Sequence, residues 1–391
     1  MKKLTSLLLV VMVAALSICA VGCEKAEDTS TYRVAMITDY GDITDQSFNQ
    51  TTYEACVAFA EDNGVDFKYY KPSGDSTAER VEMIESAIDD GYNVLVMPGY
   101  AFAGAIVETC ENNPDVKYIA LDVALGDLLE NAVGETYDYN PDNWDIADYV
   151  DLSNVYCAIY QEELCGYMAG YAAVKLGYDK LGFLGGMAVP AVIRYGYGFV
   201  QGADAAAVEL DKDIEVKYAY GNQFFADADI TAVMNTWYGN GTQVVFACGG
   251  GIYDSACEAA VKVPGAKVIG VDTDQAPVID AKYNLEGLTL TSAMKGLYPA
   301  TYDALTDIIV NGKWNKYANK IVSLGLVSGE DPEANYVQIP TESTLWGEGF
   351  SKEDYTALVK DMYSGKVKVS NDIAAMPAVQ KTTVDDQGNI K

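Results

Sequence analysis

Three aspartates, Asp39, Asp122 and Asp272, each follow a short apolar run: RVAMIT before Asp39, KYIAL before Asp122 and KVIGV before Asp272. A carboxylate at the end of a buried strand can accept hydrogen bonds from ligand hydroxyls or ring N–H groups, or simply be solvated there. Asp39 is followed by Tyr40-Gly41-Asp42 and then by Asp45-Gln46-Ser47-Phe48-Asn49-Gln50. Asp45, Ser47 and Asn49 suit a helix start, where short polar side chains take up free backbone N–H groups. Phe48 does not cap anything, and its ring stands where a flat ligand could stack. Gly249-Gly250-Gly251 follows QVVFAC and allows either close approach of a ligand to the backbone or a tight strand-to-helix turn. Lys295, in TSAMK, could donate to a ligand hydroxyl or stand exposed on a helix.

The chemistry that is missing is equally informative. The chain has no histidine, which removes the commonest general base and every Ser-His or Cys-His nucleophile pair. Paired carboxylates such as Asp39 and Asp122 would be what remains for an enzyme, without any nucleophile motif beside them. No Cys-x-x-Cys pair occurs among the eight cysteines, so zinc is not indicated. Neither GxGxxG nor GxxxxGK[ST] follows an apolar run, so no phosphate cradle is indicated. No catalytic residue, metal or cofactor is therefore expected, and binding is favoured over catalysis. A net charge of −31 repels nucleic acid and anionic lipid headgroups. An uncharged ligand is not excluded by that field, whereas a polyanion would need a local basic pocket.

The positioning elements follow from apolar periodicity. Half of the 391 residues are hydrophobic, enough for two globular domains. Strands are predicted at 33–38, 67–70, 93–97 and 117–122, alternating with helices at 48–63, 78–89 and 102–111. The segment 126–153, rich in Asp, Asn and Tyr, reads as an inserted loop. The alternation then restarts, with strands at 155–159, 180–184, 215–219, 243–248 and 267–271 and helices at 162–175, 191–210, 230–237 and 255–261. Short strands that are apolar throughout, alternating with helices, imply parallel sheets covered on both faces. Ligands bind such sheets at the carboxyl ends of the strands, where Asp39, Asp122, Gly185, Gly186, Gly249, Gly250 and Asp272 fall.

The N-terminus is different. Lys2 and Lys3 precede an uncharged apolar run, Leu4 to Ala20, and then Gly22-Cys23. The run is short for a membrane span and has the form of a secretory signal. A cysteine directly after the small residue is the mark of a lipoprotein, with Cys23 as the acylated first residue of the mature chain. Residues 24–31 read as an acidic tether. Secretion permits disulfides, but the remaining cysteines sit in apolar runs and read as small buried hydrophobes.

The set Asp45-Gln46-Ser47-Phe48-Asn49-Gln50, Gly182 to Pro190, Gly198-Phe199-Val200-Gln201-Gly202-Ala203, Val244 to Gly251, Val268 to Gln275 and Thr291-Ser292 with Lys295 resembles, in order, the motifs of the basic membrane lipoprotein family. That is the nucleoside-binding branch of periplasmic-type binding proteins. The resemblance covers about residues 32 to 300. It implies an α/β, type I periplasmic-binding-protein fold: two Rossmann-like lobes with parallel sheets, joined by a hinge. The first lobe would comprise 32–157 and about 273–318, the second 158–272 and about 319–391. A purine nucleoside would lie between them. Asp39, Phe48 and Asn49 would lie on the first-lobe side of the base, with Asp122 nearby, and Ser47 would also bind the ligand. Asp272 and Lys295 would hold the ribose beside Gly249 and Gly250, and Phe224 or Phe225 would close the other ring face. Implied partners are an ABC transporter permease and, through the lipid, the outer face of the membrane. Nucleic acid is not expected, and a monomer is. A same-fold receptor for a sugar, autoinducer or amino acid is the alternative. The chain departs from the family at Gln46, where Lys is usual, and at Asn222 to Asp229, which lack the usual proline and lysine.

Overall fold

The computed structural model describes residues 31–390, so the signal segment and Cys23 lie outside the described residues. Its strands are β1 (Arg33–Ile37), β2 (Asp66–Tyr70), β3 (Val94–Pro98), β4 (Lys117–Leu121), β5 (Val155–Tyr160), β6 (Lys180–Gly185), β7 (Ile214–Tyr220), β8 (Val244–Cys248), β9 (Lys267–Asp272), β10 (Thr289–Lys295), β11 (Lys320–Leu324), β12 (Val337–Gln338) and β13 (Thr382–Asn389). The helices between them are α1 (Phe48–Asn63), α2 (Thr77–Asp89), α3 (Ala103–Thr109), α4 (Leu125–Val133), α5 (Glu162–Lys175), α6 (Pro190–Glu209), α7 (Ala228–Gly239), α8 (Tyr253–Ala260), α9 (Ala276–Tyr283), α10 (Leu297–Leu305) and α11 (Lys352–Tyr363).

The strands form two sheets. One runs β11-β5-β4-β3-β1-β2, the other β12-β10-β9-β8-β6-β7-β13. All pairings are parallel except β10 with β12. Within each sheet the first five strands of the lobe run in the order 2-1-3-4-5, a doubly wound arrangement whose ligand crevice lies where the strand order reverses. In the first lobe that point is between β1 and β3, next to Asp39. In the second it is between β6 and β8, next to Gly186 and Gly249. β3 and β8 are buried along their whole length, as strands covered by helices on both faces must be.

The local signals account for most element ends. α1 stops at Gly64, whose φ of 65° is the left-handed conformation that glycine adopts without strain. α2 begins with a capping box between Ser76 and Glu79. The segment 126–153 is not all loop: Leu125–Val133 forms α4, burying Leu128 and Leu129, and short 3₁₀ turns follow. Asp127 Oδ2 accepts the Ala124 N–H at 2.8 Å and starts that helix.

The chain crosses between sheets three times: at 160–162, at 295–297 and between β11 and β12. This shifts the expected lobe boundaries. Residues 158–160 belong to β5 in the first sheet. β10 pairs with β9 (Ala293 beside Val271), so 289–295 belong to the second sheet rather than the first. β11 pairs with β5, so 320–324 belong to the first. Between them α10 packs on α1 through Phe59 and Tyr302, whose hydroxyl donates to Asp62 at 2.8 Å. Periodicity identifies a strand but not the sheet it joins, which is decided by edge pairing far away in sequence.

Candidate functional site

A cavity of about 410 Å³ lies between the lobes, within the roughly 300–1,000 Å³ typical of small-molecule sites. It is lined by Asp39, Asp122, Gly249, Gly250 and Asp272, with Phe48, Asn49, Phe224, Phe225 and Lys295; the strand-end pair Gly185-Gly186 does not line it, and Gly186 instead lies against the Phe224 ring. Ser47 is fully buried beside it.

Its core is a chain of charges. Lys295 does not stand on a helix surface; it is the last residue of β10 and its side chain is 3% exposed. Its ammonium contacts Asp122 Oδ2, lies 3.4 Å from Glu162 Oε1 and 3.8 Å from Asp272 Oδ1. Glu162 Oε2 in turn accepts from Arg194 Nε at 2.6 Å. Burial alone would drive the Lys295 proton off. Asp122, Asp272 and Glu162 outweigh it and hold the ammonium charged well above the ordinary lysine range. Burial pushes the Asp122 carboxyl up to about 6, against the pull of Lys295. Asp122 lines the cavity, and its Oδ1 is buried with no hydrogen-bond partner, an acceptor whose capacity is unused.

Asp122 and Asp272 share an unusual backbone, with φ of 62° and 66°. Left-handed backbone is uncommon for residues other than glycine, though aspartate is among the more tolerant. Its recurrence at two strand ends of one cavity is the kind of local strain that clusters at binding sites. Both residues line the cavity.

The entry to α1 answers the capping question. Asp45, not Ser47, caps the helix: its carboxylate accepts the N–H groups of Ser47 (2.9 Å), Asn49 (3.0 Å) and Gln50 (3.1 Å). Ser47 Oγ is thereby free to donate across the cleft to Asp272 Oδ2 at 2.6 Å. Asp272 Oδ1 accepts from the Tyr195 hydroxyl at 3.2 Å. Asn49 Nδ2 donates to Asp45 at 3.0 Å, and Asn49 Oδ1 is buried without a partner. The departure at Gln46 leaves the lobe contact untouched, because Gln275 Nε2 donates to the Gln46 backbone carbonyl at 3.0 Å. Asp39 is satisfied mainly by its own turn, accepting from the Tyr40 and Gly41 N–H groups at 2.7 and 2.9 Å. Burial raises its pKa.

Two aromatic rings come from opposite lobes. Phe48 has the Lys295 ammonium 4.5 Å from its ring centre, a cation–π contact. Phe224 is the inner of the two second-lobe rings. Cβ atoms added at Gly186 and Gly249 would fall 2.4 and 2.8 Å from its Cδ1, so glycine at both positions seats the ring. Phe225 is 57% exposed and lies at the rim. Gly250 (φ 50°) needs the left-handed freedom of glycine.

Sequence reading missed Glu162, Arg194, Tyr195 and Asp127. A signal for Arg194 existed: it is one of only three arginines in the chain and stands in an apolar helix start directly after a strand-end Gly-Gly. Glu162 opens a helix and looked like an ordinary first-turn acid. Among the described residues no cluster is placed to hold a metal, and the six cysteines are free and buried. No described helix is long and apolar enough to cross a membrane.

The comparisons agree with this geometry. The chain is similar to the ABC transporter nucleoside-binding protein BmpA of Lactococcus lactis subsp. cremoris, at 26% identity over 294 residues, covering 70% of this chain and 75% of that protein. It is similar to an uncharacterized lipoprotein of Pyrococcus abyssi, at 25% identity over 318 residues, covering 78% of this chain and 69% of that one. Its fold matches the crystal structure of an ABC transporter solute-binding protein from Aeropyrum pernix K1, with a TM-score of 0.63, 21% identity and 88% of each chain covered. The proteins of this family bind substrates for ABC transporters and are not enzymes. The family model for PnrA-like ABC transporter substrate-binding proteins matches residues 32–338, and the chain belongs to that family, Bmp.

Proposed function

We propose that the protein captures a nucleoside, with a purine preferred, outside the membrane and delivers it to the permease of an ABC importer. One observation carries this: a single cavity combines an aromatic ring from each lobe, Phe48 and Phe224, with a cluster of charged acceptors and a donor, Asp122, Asp272 and Lys295. Rings grip a flat heterocycle, and the cluster suits vicinal sugar hydroxyls, each of which both donates and accepts. A ligand touching both lobes favours the arrangement in which both contact sets are made, and so biases the lobes toward closure. The name of the Lactococcus relative, a nucleoside-binding protein, supports the same ligand class. Thermal melting with adenosine, inosine, guanosine, cytidine, free bases, ribose and galactose tests it. A ligand that binds only the folded state raises the melting temperature, by about 2.7 kcal/mol of stability at a hundred times its Kd. Nucleosides are expected to stabilise most and purine nucleosides above cytidine. Stabilisation by free sugars with none by nucleosides would replace this reading with a sugar receptor.

The anchor is part of the same proposal. Lys2-Lys3, the apolar run and Gly22-Cys23 support acylation of Cys23, as does the likeness to a protein named as a lipoprotein. Mass spectrometry of the mature protein is expected to find Cys23 as a diacylglyceryl N-terminus. A mature N-terminus without lipid would remove the anchor and leave the binding reading intact.

A further inference from the structure

Two side chains of the cavity have no role in the reading above. Arg194, near the start of α6, and Asp127, in the first turn of α4, come from opposite lobes and both line the cavity. Arg194 uses its Nε on Glu162, and among the described residues its Nη atoms hold no hydrogen bond. Its side chain is only 13% exposed. A guanidinium carries five donors, and one this enclosed is ordinarily filled. Asp127 uses Oδ2 on the Ala124 N–H, and among the described residues Oδ1 has no partner. Burial pushes this carboxyl up to about 6, against the Ala124 N–H and the attraction of Arg194. The two groups therefore sense each other, yet no ion pair within 4 Å joins them among the described residues.

A donor fork on one wall and a free carboxylate oxygen on the other call for a group that accepts from one and donates to the other. A hydroxyl does both. The position narrows which hydroxyl. Glu162 links Arg194 directly to Lys295, so the pair flanks the same end of the cavity as the Asp122–Lys295–Asp272 cluster. With vicinal hydroxyls on that cluster and the base between the rings, the exocyclic hydroxymethyl group is what the sugar has left to offer.

We propose that Asp127 and Arg194 are specificity residues that read the free 5′-hydroxyl of the bound nucleoside from opposite lobes; this rests on the nucleoside reading. A 5′-phosphate is rejected at the same point. Its charge would meet the Asp127 carboxylate, while the Arg194 cation is already balanced by Glu162. A 5′-deoxy sugar would leave both groups desolvated and unpaired.

Calorimetric titration of adenosine, 5′-deoxyadenosine and adenosine 5′-monophosphate, with the inosine trio in parallel, tests this on the wild type, Asp127→Asn and Arg194→Gln. In the wild type the 5′-deoxy analogue is expected to bind roughly 10- to 100-fold more weakly than the nucleoside, and the monophosphate more weakly still. Asp127→Asn is expected to raise monophosphate affinity relative to nucleoside by about 10-fold or more, since the amide can donate to phosphate and brings no charge. Arg194→Gln is expected to shrink the preference for nucleoside over 5′-deoxy analogue. Each result is a ratio within one variant, so a general loss of stability does not imitate it. Equal binding of nucleoside and 5′-deoxy analogue, or unchanged ratios in both variants, would overturn the 5′ assignment while the nucleoside reading stood. Failure of every nucleoside to bind the wild type would overturn both.

Discussion

Asp272→Ala is expected to weaken nucleoside binding between a hundred- and a thousand-fold, with the fold retained. The carboxylate is 7% exposed, accepts from Ser47 and Tyr195 and faces the Lys295 ammonium. Two charge-assisted hydrogen bonds to sugar hydroxyls are worth about 1.5–3 kcal/mol each, of which part is returned by water entering the vacated space. A net loss of about 3–4 kcal/mol corresponds to the stated range. The fold should survive because of the charge balance. Three acids, Asp122, Glu162 and Asp272, surround two cations, Lys295 and Arg194. Removing Asp272 leaves two of each, so no buried cation is stranded, the circumstance that makes broken buried pairs so destabilising. The left-handed backbone adds roughly 1–2 kcal/mol of strain for alanine. Asp272→Asn avoids that strain, because asparagine tolerates the conformation, and isolates the loss of charge. Calorimetry on both variants, with melting curves as the control for folding, decides the matter. Unchanged affinity in both would remove Asp272 from the site.

Asp272 also shows how far sequence reading reaches. A carboxylate after a buried strand was legible because strand ends are where parallel sheets meet their ligands, and a five-residue apolar run is easy to see. Ser47 was ambiguous because a serine before a helix has two good uses. Only the three N–H groups gathered by Asp45 reveal that the capping position is already taken. In sequence Lys295 stays open between a ligand donor and an exposed helix lysine, because what makes TSAMK a strand is the pairing of Ala293 with Val271 and Met294 with Asp272, about twenty residues earlier. Glu162 and Arg194 were passed over for a related reason. Each sits near a helix start, where a charged residue needs no explanation, and what gives them meaning is the pairing of α5 with α6. Helix α4 was missed because its two buried leucines, Leu128 and Leu129, are too few to outweigh the polar stretch that follows. The lobe boundaries fail together with β10 and β11, since edge pairing carries no local mark.

The pairing of α5 with α6 leads to the largest stability effect expected here, from the smallest substitution. The two helices meet backbone to backbone through glycines on both. A Cβ at Gly166 would fall 2.3 Å from the Tyr195 carbonyl oxygen, and one at Gly170 2.1 Å from that of Phe199. From the other side, a Cβ at Gly198 would fall 2.1 Å from the Glu163 carbonyl oxygen, and one at Gly202 2.0 Å from that of Tyr167. These are main-chain atoms inside regular helices and cannot rotate away, so the helices must separate. Gly202→Ala is expected to destabilise the protein by about 3 kcal/mol or more, the upper range for overpacking a core, even after the roughly 1 kcal/mol that alanine contributes in a helix. At a few degrees per kcal/mol for a chain of this size, the melting temperature should fall by roughly 5–10 °C. Gly239→Ala is the matched control. Gly239 also lies in a helix, at the end of α7, but nothing stands within 4 Å of its added Cβ, so that variant should melt at or slightly above the wild-type temperature. The crossing also holds the site together: α5 carries Glu162, α6 carries Arg194 and Tyr195, and the 2.6 Å contact of Arg194 with Glu162 depends on the helices lying this close. Prying them apart should therefore weaken nucleoside binding as well, at temperatures where Gly202→Ala remains folded. A Gly202→Ala protein that melts with the wild type would show that the helices do not touch at their backbones, and the charge chain from Arg194 to Lys295 would lose its structural basis.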